Sequence, residues 1–215
     1  MVLREPSSSQ TFFVNTSILM DGLKMGHLTH TLFITASDTP KHIRCPQGVR
    51  DALGFLEEHL NNFRTRDTVG VDLPPMLTSD AIALAGYLLE YPVSYAPSID
   101  GIDNNSGLFL PTVPLTIVST LLVSSDGRWV HRTPLLSPAL LWLRSHTLCR
   151  EPFTVMQFSY PSSLVNVIED LTNDRVIHDC RTLFTTRLQH ISLPWLYDAR
   201  IETSTSTKTL DRLAL

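Results

Sequence analysis

The sequence predicts an α/β fold: a mixed sheet with helices on both faces, parallel βαβαβ in its first half and an antiparallel hairpin in its second. Strand-like and helical segments alternate over the first hundred residues, which is the pattern of parallel βαβ units. Asp126-Gly127 then joins two apolar segments and is a strong signal for a hairpin turn. Hydrophobic residues make up 43% of the chain, which is enough to build a core.

The length of the chain predicts one domain. With 215 residues, the protein falls in the size range of a single, slightly large domain. We predict that residues 1–10 are a flexible N-terminal tail and that residues 11–215 form a single α/β domain. No internal repeat or low-complexity linker divides the sequence further.

The first two elements after the tail are a helix and a strand. Residues 14–24 predict a short helix that is capped at Asn15 or Thr16 and ends at Gly22. The segment 29–36 is rich in β-branched and apolar residues, which predicts a strand.

A long amphipathic helix is predicted next. From Pro46 onward, apolar residues recur at steps of three and four, which is the spacing of one helix face. The segment 67–73 then predicts a short strand. The apolar stripe of the helix consists of Val49, Ala52, Leu53, Leu56, Leu60 and Phe63.

The following helix is apolar on nearly every face. It covers residues 80–91, with Ser79 as its predicted N-cap and Asp80 placed favourably against the helix dipole. Because it has no polar face, we expect it to be buried between two layers. Residues 93–97 predict the strand that completes the parallel array.

The second half of the chain is predicted to be antiparallel. The apolar hairpin covers residues 113–135, and residues 153–161 predict a further strand. Residues 162–191 are predicted to be helical, with a break at 172–175. Residues 193–205 predict a final strand.

Three short motifs resemble a known family. They are the turn "GYLLEYPVSY" at 86–95, the dipeptide Pro114-Leu115, and the turn "FSYP" at 158–161 that opens a helical segment. They are similar to motifs of an uncharacterised eukaryotic family of unknown function, named after a chromosome 1 open reading frame. The resemblance implies an α/β fold. It carries no catalytic residues over, because that family has none assigned.

Composition and charge exclude several classes of function. The net charge is −4 and the 17 Lys and Arg residues are scattered, which argues against nucleic acid as a partner. No apolar run is long enough to span a bilayer, so no membrane partner is expected. The sequence has no Gly-rich phosphate loop and no clustered metal ligands, and we therefore expect neither a cofactor nor a bound metal.

The cysteines indicate a reducing compartment. Cys45, Cys149 and Cys180 are odd in number and far apart, and no C-x-x-C motif occurs. The N-terminal segment has no uninterrupted apolar stretch of the kind that a secretory signal needs. The sequence therefore predicts a cytoplasmic protein.

The stretch "DRVIHDCRTLF" contains the residue types of a thiol protease, with His178, Asp179 and Cys180 in a row. Because a helix turns by about 100° per residue, Cys180 falls on the apolar stripe of this segment and His178 on its polar side. From these positions they cannot hydrogen-bond as nucleophile and base. We therefore predict a buried, inert Cys180 and an exposed His178.

A candidate site is predicted at the carboxyl ends of the parallel strands, where open α/β sheets bind ligands. If the strands at 29–36 and 67–72 are neighbours, Asp38 and Asp72 face one crevice, with His42 in the adjoining loop. Two carboxylates can hold a divalent cation or divide acid and base roles. The alternative is that both are turn or cap residues. Further polar side chains near this crevice are Lys41, Arg44, Asn104 and Asn105.

Two functions of different class follow. An apolar, ordered chain without recognisable catalytic apparatus favours an intracellular globular protein that acts by association with an unknown protein partner. The hairpin 113–135 and the segment 135–143 are the predicted association surfaces. The alternative is a metal-assisted hydrolase or small-ligand-binding domain that uses Asp38 and Asp72. The sequence alone does not decide whether the protein is an enzyme.

Overall fold

The computed structural model describes residues 1–6, 9–24, 31–37, 39–62, 70–97, 109–110, 113–124, 152–165, 167–169, 171–191, 199–209 and 213–214. Helices and strands alternate in it, which confirms the predicted α/β class. The chain divides into two compact units, Met1–Pro114 with Thr209–Leu215, and Leu115–Lys208. The sequence predicts a single domain over residues 11–215, whereas the structure separates two units, each with its own strands and helices.

The first unit begins with a strand where the sequence predicts a flexible tail over residues 1–10. β1 (Val2–Glu5) is antiparallel to β2 (Gln10–Phe13) and parallel to β5 (Gly70–Asp72), so the order in this sheet is β2-β1-β5. Leu3 at the centre of β1 is buried. The tail prediction is wrong for this segment, because pairing on both sides orders a strand too short to show a local pattern.

A second sheet in the same unit has the order β4-β3-β6. β3 (Leu32–Ala36) is parallel to β6 (Val93–Pro97) and antiparallel to the short β4 (His42–Ile43). A small antiparallel pair joins β7 (Phe109–Leu110) to β11 (Leu213–Ala214).

The predicted parallel array is only partly correct. β3 and β6 are parallel neighbours as expected, but β5 pairs with β1 among the described strands and is not a neighbour of β3. The candidate crevice of Asp38 and Asp72 depended on β3 and β5 being neighbours, and this condition is not met, because β1 supplies the parallel partner of β5. The expectation of helices on both faces of the sheet stays a prediction.

The first helix has the predicted cap. α1 (Thr16–Lys24) begins after Asn15, whose Oδ1 accepts hydrogen bonds from the backbone N–H groups of Ser17 at 3.0 Å and Ile18 at 3.3 Å. These bonds satisfy two of the amides that have no partner within the helix. The helix runs past the predicted end at Gly22.

The second helix confirms the predicted amphipathic pattern. α2 (Gln47–Asn62) covers the predicted segment, and the first four residues of the apolar stripe are buried. Leu60 packs against the same core and is partly buried, while Phe63 lies outside the described residues. The four buried residues are Val49, Ala52, Leu53 and Leu56.

The third helix, α3 (Thr78–Leu88), is buried on most of its surface, as its apolar composition predicts. Its N-cap is Leu77 and no side chain caps it, so the prediction of a Ser79 cap is wrong. Against β6, the backbone of Gly86 approaches Ser94 so closely that a Cβ at position 86 would lie 2.8 Å from the Ser94 Cβ. The Ser94 hydroxyl donates a hydrogen bond to the Ala83 carbonyl at 2.8 Å and joins the helix to the strand.

These elements enclose one hydrophobic core in the first unit. Residues of both sheets and of all three helices contribute to it. The core therefore joins the hairpin at the N-terminus to the βαβ unit formed by β3 and β6. Its buried members are Leu3, Leu19, Phe33, Val49, Ala52, Leu53, Leu56, Val71, Leu73, Ala83, Leu84, Tyr87 and Ala96.

The second unit is built on a sheet with the order β10-β8-β9. β8 (Pro114–Ser124) is antiparallel to β9 (Phe153–Pro161), which confirms the predicted strand at 153–161. β10 (Ala199–Thr209) lies on the other side of β8. The turn of the predicted hairpin, at Asp126-Gly127, lies outside the described residues, as does everything in 125–151.

β8 is the described part of the predicted hairpin 113–135, and it is the central strand of its sheet. The buried residues of β8 are Leu115, Thr116, Val118 and Thr120. The rest of the hairpin and the segment 135–143 lie outside the described residues, so their role as association surfaces stays a prediction.

The helix of the second unit, α4 (Asn173–Gln189), follows a short 3-10 turn at Ser162–Leu164. Thr172 is its N-cap and accepts a hydrogen bond from the Arg175 backbone N–H, so the helix begins at the predicted break. The prediction of helix before the break is wrong beyond Leu164, because residues 165, 167–169 and 171 are not helical. The Tyr160 hydroxyl, fully buried, donates to Asn173 Oδ1 at 2.9 Å. This bond fixes the first turn of the helix to β9.

We expect Gly86→Ala to destabilise the first unit by roughly 1–3 kcal/mol, because the added methyl group would overlap the Ser94 side chain in a packed interior. Gly54→Ala is the matched control, since a Cβ at that helical position meets nothing within 4 Å. It should stabilise the protein by about 0.5–1 kcal/mol through helix propensity. Urea unfolding of the two variants measures both effects, and equal stability of the two would contradict this description of the contact.

Candidate functional site

The structure does not unite the predicted site residues. Asp72 lies at the end of β5 beside Arg4 of β1, and its side chain is exposed. His42 is an exposed residue of β4 opposite Ile34 of β3, in the other sheet. Asp38 lies outside the described residues. Because β3 and β5 are not neighbours, their ends do not form the crevice that was predicted for Asp38 and Asp72.

The remaining predicted site residues are also dispersed. Lys41 and Arg44 flank β4 and are exposed. Asn104 and Asn105 lie outside the described residues. Within the part of the chain that the structure describes, no three His, Cys, Asp or Glu side chains come together as a metal site requires.

Asp72 belongs instead to a surface formed by the first sheet. Cross-strand partners lie on the same face of a sheet, so the register of β2-β1-β5 gives two rows. One row is Phe13, Val2 and Gly70, and the other is Thr11, Arg4 and Asp72. All but the half-buried Val2 are exposed. We call the side chains of Val2, Arg4, Thr11, Phe13 and Asp72 the outer face.

The charged row of the outer face is a solvated ion pair. The Arg4 guanidinium lies 3.6 Å from the Asp72 carboxylate, and the two side chains are 62% and 67% exposed. Arg4 also leans over Gly70, where its Nη2 atom is 3.6 Å from the place a Cβ would occupy. Exposed pairs of this kind contribute little to stability.

The apolar row of the outer face contains the most exposed large hydrophobic residue of the described chain. Phe13 is 87% exposed, on the outermost strand of its sheet. A phenyl ring in water is unfavourable, because its apolar surface is not removed from solvent. The segment "TFFV" does not predict that Phe13 is exposed, because Phe12 and Phe13 are equally apolar. Only the pairing of β2 decides which of the two faces the core.

A buried carboxylate also escaped the sequence analysis. Glu5, at the end of β1, is 1% exposed and lies opposite Gln10 of β2. It points to the same face of the sheet as Leu3, two residues earlier, because side chains alternate along a strand. The sequence gives no signal for this burial, because apolar and polar residues do not alternate in the short segment "VLRE".

A polar cluster surrounds the N-terminus of α2. Arg50 Nη1 donates a hydrogen bond to the Cys45 carbonyl at 2.6 Å, and its Nη2 donates to Gln47 Oε1. The Asp80 carboxylate, from the first turn of α3, accepts a hydrogen bond from the Gly48 backbone N–H. Asp80 thus caps the neighbouring helix rather than its own, and Gly48 leaves the space that the carboxylate fills.

Burial favours the neutral forms of the Cys45 thiol and the Asp80 carboxyl group in this cluster. Burial raises the pKa of the Cys45 thiol to about 11, with Arg50 lowering it and Asp80 raising it further. Burial also raises the pKa of Asp80 above its ordinary value of 3.8, while the Gly48 hydrogen bond lowers it and Asp51 raises it. The pKa of Tyr87 is raised by burial and by the charges of Cys45 and Glu90. A thiol of this kind is not an activated nucleophile.

The protease-like triplet behaves as the helix geometry predicts. Cys180 is 2% exposed and His178 is exposed, on the same helix α4. Burial raises the pKa of the Cys180 thiol to about 11; the Asp179 charge raises it further, and a hydrogen bond with Thr120 lowers it. Both predictions are confirmed, and Cys180 is a core residue.

Comparison of the chain with protein-family models, with curated proteins and with solved structures finds no match in any of the three. The resemblance to the chromosome 1 family therefore stays a prediction. No helix in the described part of the chain is both long and apolar enough to cross a membrane.

We expect Asp80→Asn to leave the protein as stable as the parent, or more stable, at neutral pH. The folded protein holds the Asp80 proton more tightly than the unfolded chain does, so ionising this group costs stability as the pH rises above the ordinary value of 3.8. Asparagine keeps an oxygen for the Gly48 N–H without the charge. The advantage should shrink on acidification toward pH 4, in urea titrations at several pH values. Asp80→Ala should be the less stable variant at every pH, because it removes the cap.

We expect Cys180 to resist alkylation in the folded protein. A pKa of about 11 instead of 9.0 leaves roughly one hundredth of the ordinary thiolate. Iodoacetamide labelling at pH 7.5 with peptide mapping should mark Cys180 only after denaturation. Cys180→Ala should cost about 1 kcal/mol of stability, as mild truncations in a core do. Rapid labelling of Cys180 in the native state would mean that the residue is accessible and that the core interpretation is incorrect.

Proposed function

We propose that the protein works by associating with another polypeptide through the outer face of the first sheet, with Phe13 as the anchor. The supporting observation is the exposure of Phe13, 87%, on an ordered strand rather than in a loop. Arg4 lies in the adjoining row of the same face. Aromatic residues and arginine are the types enriched at protein interfaces.

The energy available at this face suits association. Burying a phenylalanine side chain contributes roughly 1.5–3 kcal/mol, and β1 and β5 already hold the surface in place, so little further ordering is needed on binding. Large aromatic side chains are among the residue types most often found in an interface hot spot. The solvated pair of Arg4 and Asp72 fits the polar rim that surrounds such a spot.

The chemistry of the described residues supports association over catalysis. The alternative of a metal-assisted hydrolase requires Asp38 and Asp72 to share an ion, and Asp72 instead pairs with Arg4 on the outer face. The two described thiols have raised pKa values, which is unfavourable for a nucleophile. No described feature favours the alternative over association.

We expect Phe13→Ser to remove the specific partner. Loss of a central aromatic anchor typically weakens binding by about 2 kcal/mol or more, roughly 30-fold. The matched control is Phe153→Ser, which removes a phenyl ring that is 67% exposed on an outer strand of the other unit. Affinity purification of tagged parent and variants from native cells, with quantitative mass spectrometry, compares the sets of bound proteins.

The result expected is a set of proteins that the parent and Phe153→Ser retain and Phe13→Ser loses. Thermal unfolding of the three proteins shows whether each variant is folded, and we expect little change because both rings are exposed. Identical protein sets for all three would refute the role of the outer face. Loss with Phe153→Ser alone would transfer the proposed interface to the second unit.

A further inference from the structure

The hydrogen bonds of the N-terminal hairpin determine which main-chain groups of β2 point away from it. Met1 and Val14 exchange both of their main-chain bonds, at 3.0 Å and 2.9 Å. In an antiparallel pair such exchanges alternate with positions that have none. With the observed register, Leu3 with Phe12 and Glu5 with Gln10 are the next exchanging pairs. The residues of β2 between them, Thr11 and Phe13, therefore point their N–H and C=O groups away from β1.

The same alternation is visible on the opposite edge of β1. The Arg4 carbonyl accepts a hydrogen bond from the Leu73 N–H at 2.8 Å, which is the bond to the parallel neighbour. Arg4 is the residue opposite Thr11. Since Arg4 directs its carbonyl away from β2, the assignment of Thr11 and Phe13 as the outward residues is consistent on both strands.

Four main-chain groups of this outer edge, the N–H and C=O of Thr11 and Phe13, are thus spaced as a neighbouring strand requires. β2 ends the order β2-β1-β5 among the described strands. The side chains of Thr11 and Phe13 are the exposed ones of β2 and belong to the outer face. A ligand that pairs with this edge would therefore meet the exposed phenyl ring at the same time.

We propose that the partner binds as an extended peptide segment that adds a strand to the outer edge of β2, which ends its sheet among the described strands. This inference rests on the proposed function and deepens it by naming the form of the partner. Main-chain hydrogen bonds to an exposed edge supply affinity, and alternate side chains of the peptide supply specificity. The residue of the peptide opposite Phe13 extends the apolar row and is aromatic or β-branched, while the residue opposite Thr11 extends the polar row.

The size of the edge favours a peptide over a second copy of this chain. β2 has four residues, Gln10–Phe13, and about 14 Å of strand at roughly 3.4 Å per residue. Two copies meeting along this edge alone would share few hydrogen bonds and bury little surface, whereas a stable interface buries roughly 1,000 Å². A flexible peptide instead pairs with the edge and continues over the outer face with its side chains.

Thr11→Pro is the variant that tests the edge of β2 separately from the side chains of the outer face. The Thr11 N–H points away from β1, so Thr11→Pro removes one outward donor without removing a bond between β1 and β2. Thr11→Val is the matched control, because it removes the hydroxyl and keeps the donor. Phe13→Ser tests the outer face independently of the edge. Circular dichroism and thermal unfolding check that each full-length variant is folded.

The probe is a phage-displayed library of random seven-residue peptides, selected on the full-length parent protein. Synthetic versions of the selected peptides are titrated against the four proteins by fluorescence anisotropy. We expect peptides with an aromatic or β-branched residue two positions away from a polar one, at least 10-fold weaker binding to Thr11→Pro, and unchanged binding to Thr11→Val. Amide hydrogen exchange should be fast at Thr11 and Phe13 in the free protein and slow in the complex.

The other outcomes separate this inference from the proposed function. Binding that Phe13→Ser weakens and Thr11→Pro does not would overturn strand addition and leave the outer face as the interface. Peptide binding that neither substitution affects would overturn both. Failure to select any peptide would overturn strand addition alone, because the affinity purification tests the outer face with whole proteins. A concentration-dependent dimer in size-exclusion chromatography, abolished by Thr11→Pro, would show that the edge takes a second copy and would overturn the assignment to a peptide.

Discussion

The first unit depends on one short strand, β1, which is held at a fixed register between β2 and β5. The bonds from the Val14 N–H to the Met1 carbonyl and from the Leu73 N–H to the Arg4 carbonyl fix its two edges. A shift by one residue would turn Leu3 to solvent and the Arg4 charge into the core. This register therefore decides both what the core contains and what the outer face presents.

Two close backbone contacts hold helices of the first unit, and a polar side chain accepts or donates a hydrogen bond at each contact. Gly86 lets α3 approach β6, where the Ser94 hydroxyl bonds to a helix carbonyl. Gly48 lets α2 approach α3, and the Asp80 carboxylate accepts a hydrogen bond from the Gly48 backbone N–H. Because a buried polar group must be hydrogen-bonded, these side chains are committed to packing.

The titratable groups lead to the same conclusion. Burial raises the pKa of Cys45 and of Cys180 to about 11, so both thiols are protonated at neutral pH. A nucleophile needs the opposite shift, from a neighbouring cation or base that outweighs desolvation. At Cys45 the Arg50 charge acts in that direction, but burial is the larger effect. Neither Cys45 nor Cys180 is therefore an activated nucleophile.

The spacing of apolar residues along single segments was sufficient to predict α2, the two faces of α4 and the strand β9. The stripe on α2, the burial of Cys180 opposite His178 and the strand 153–161 follow from periodicity, which needs no knowledge of a distant partner. Tertiary structure alone decided the neighbour of β5, because a four-residue strand near the N-terminus gains its order from pairing with residues far along the chain. That pairing set Asp72 beside Arg4, and the pairing of β2 with β1 turned Phe13, rather than Phe12, toward solvent.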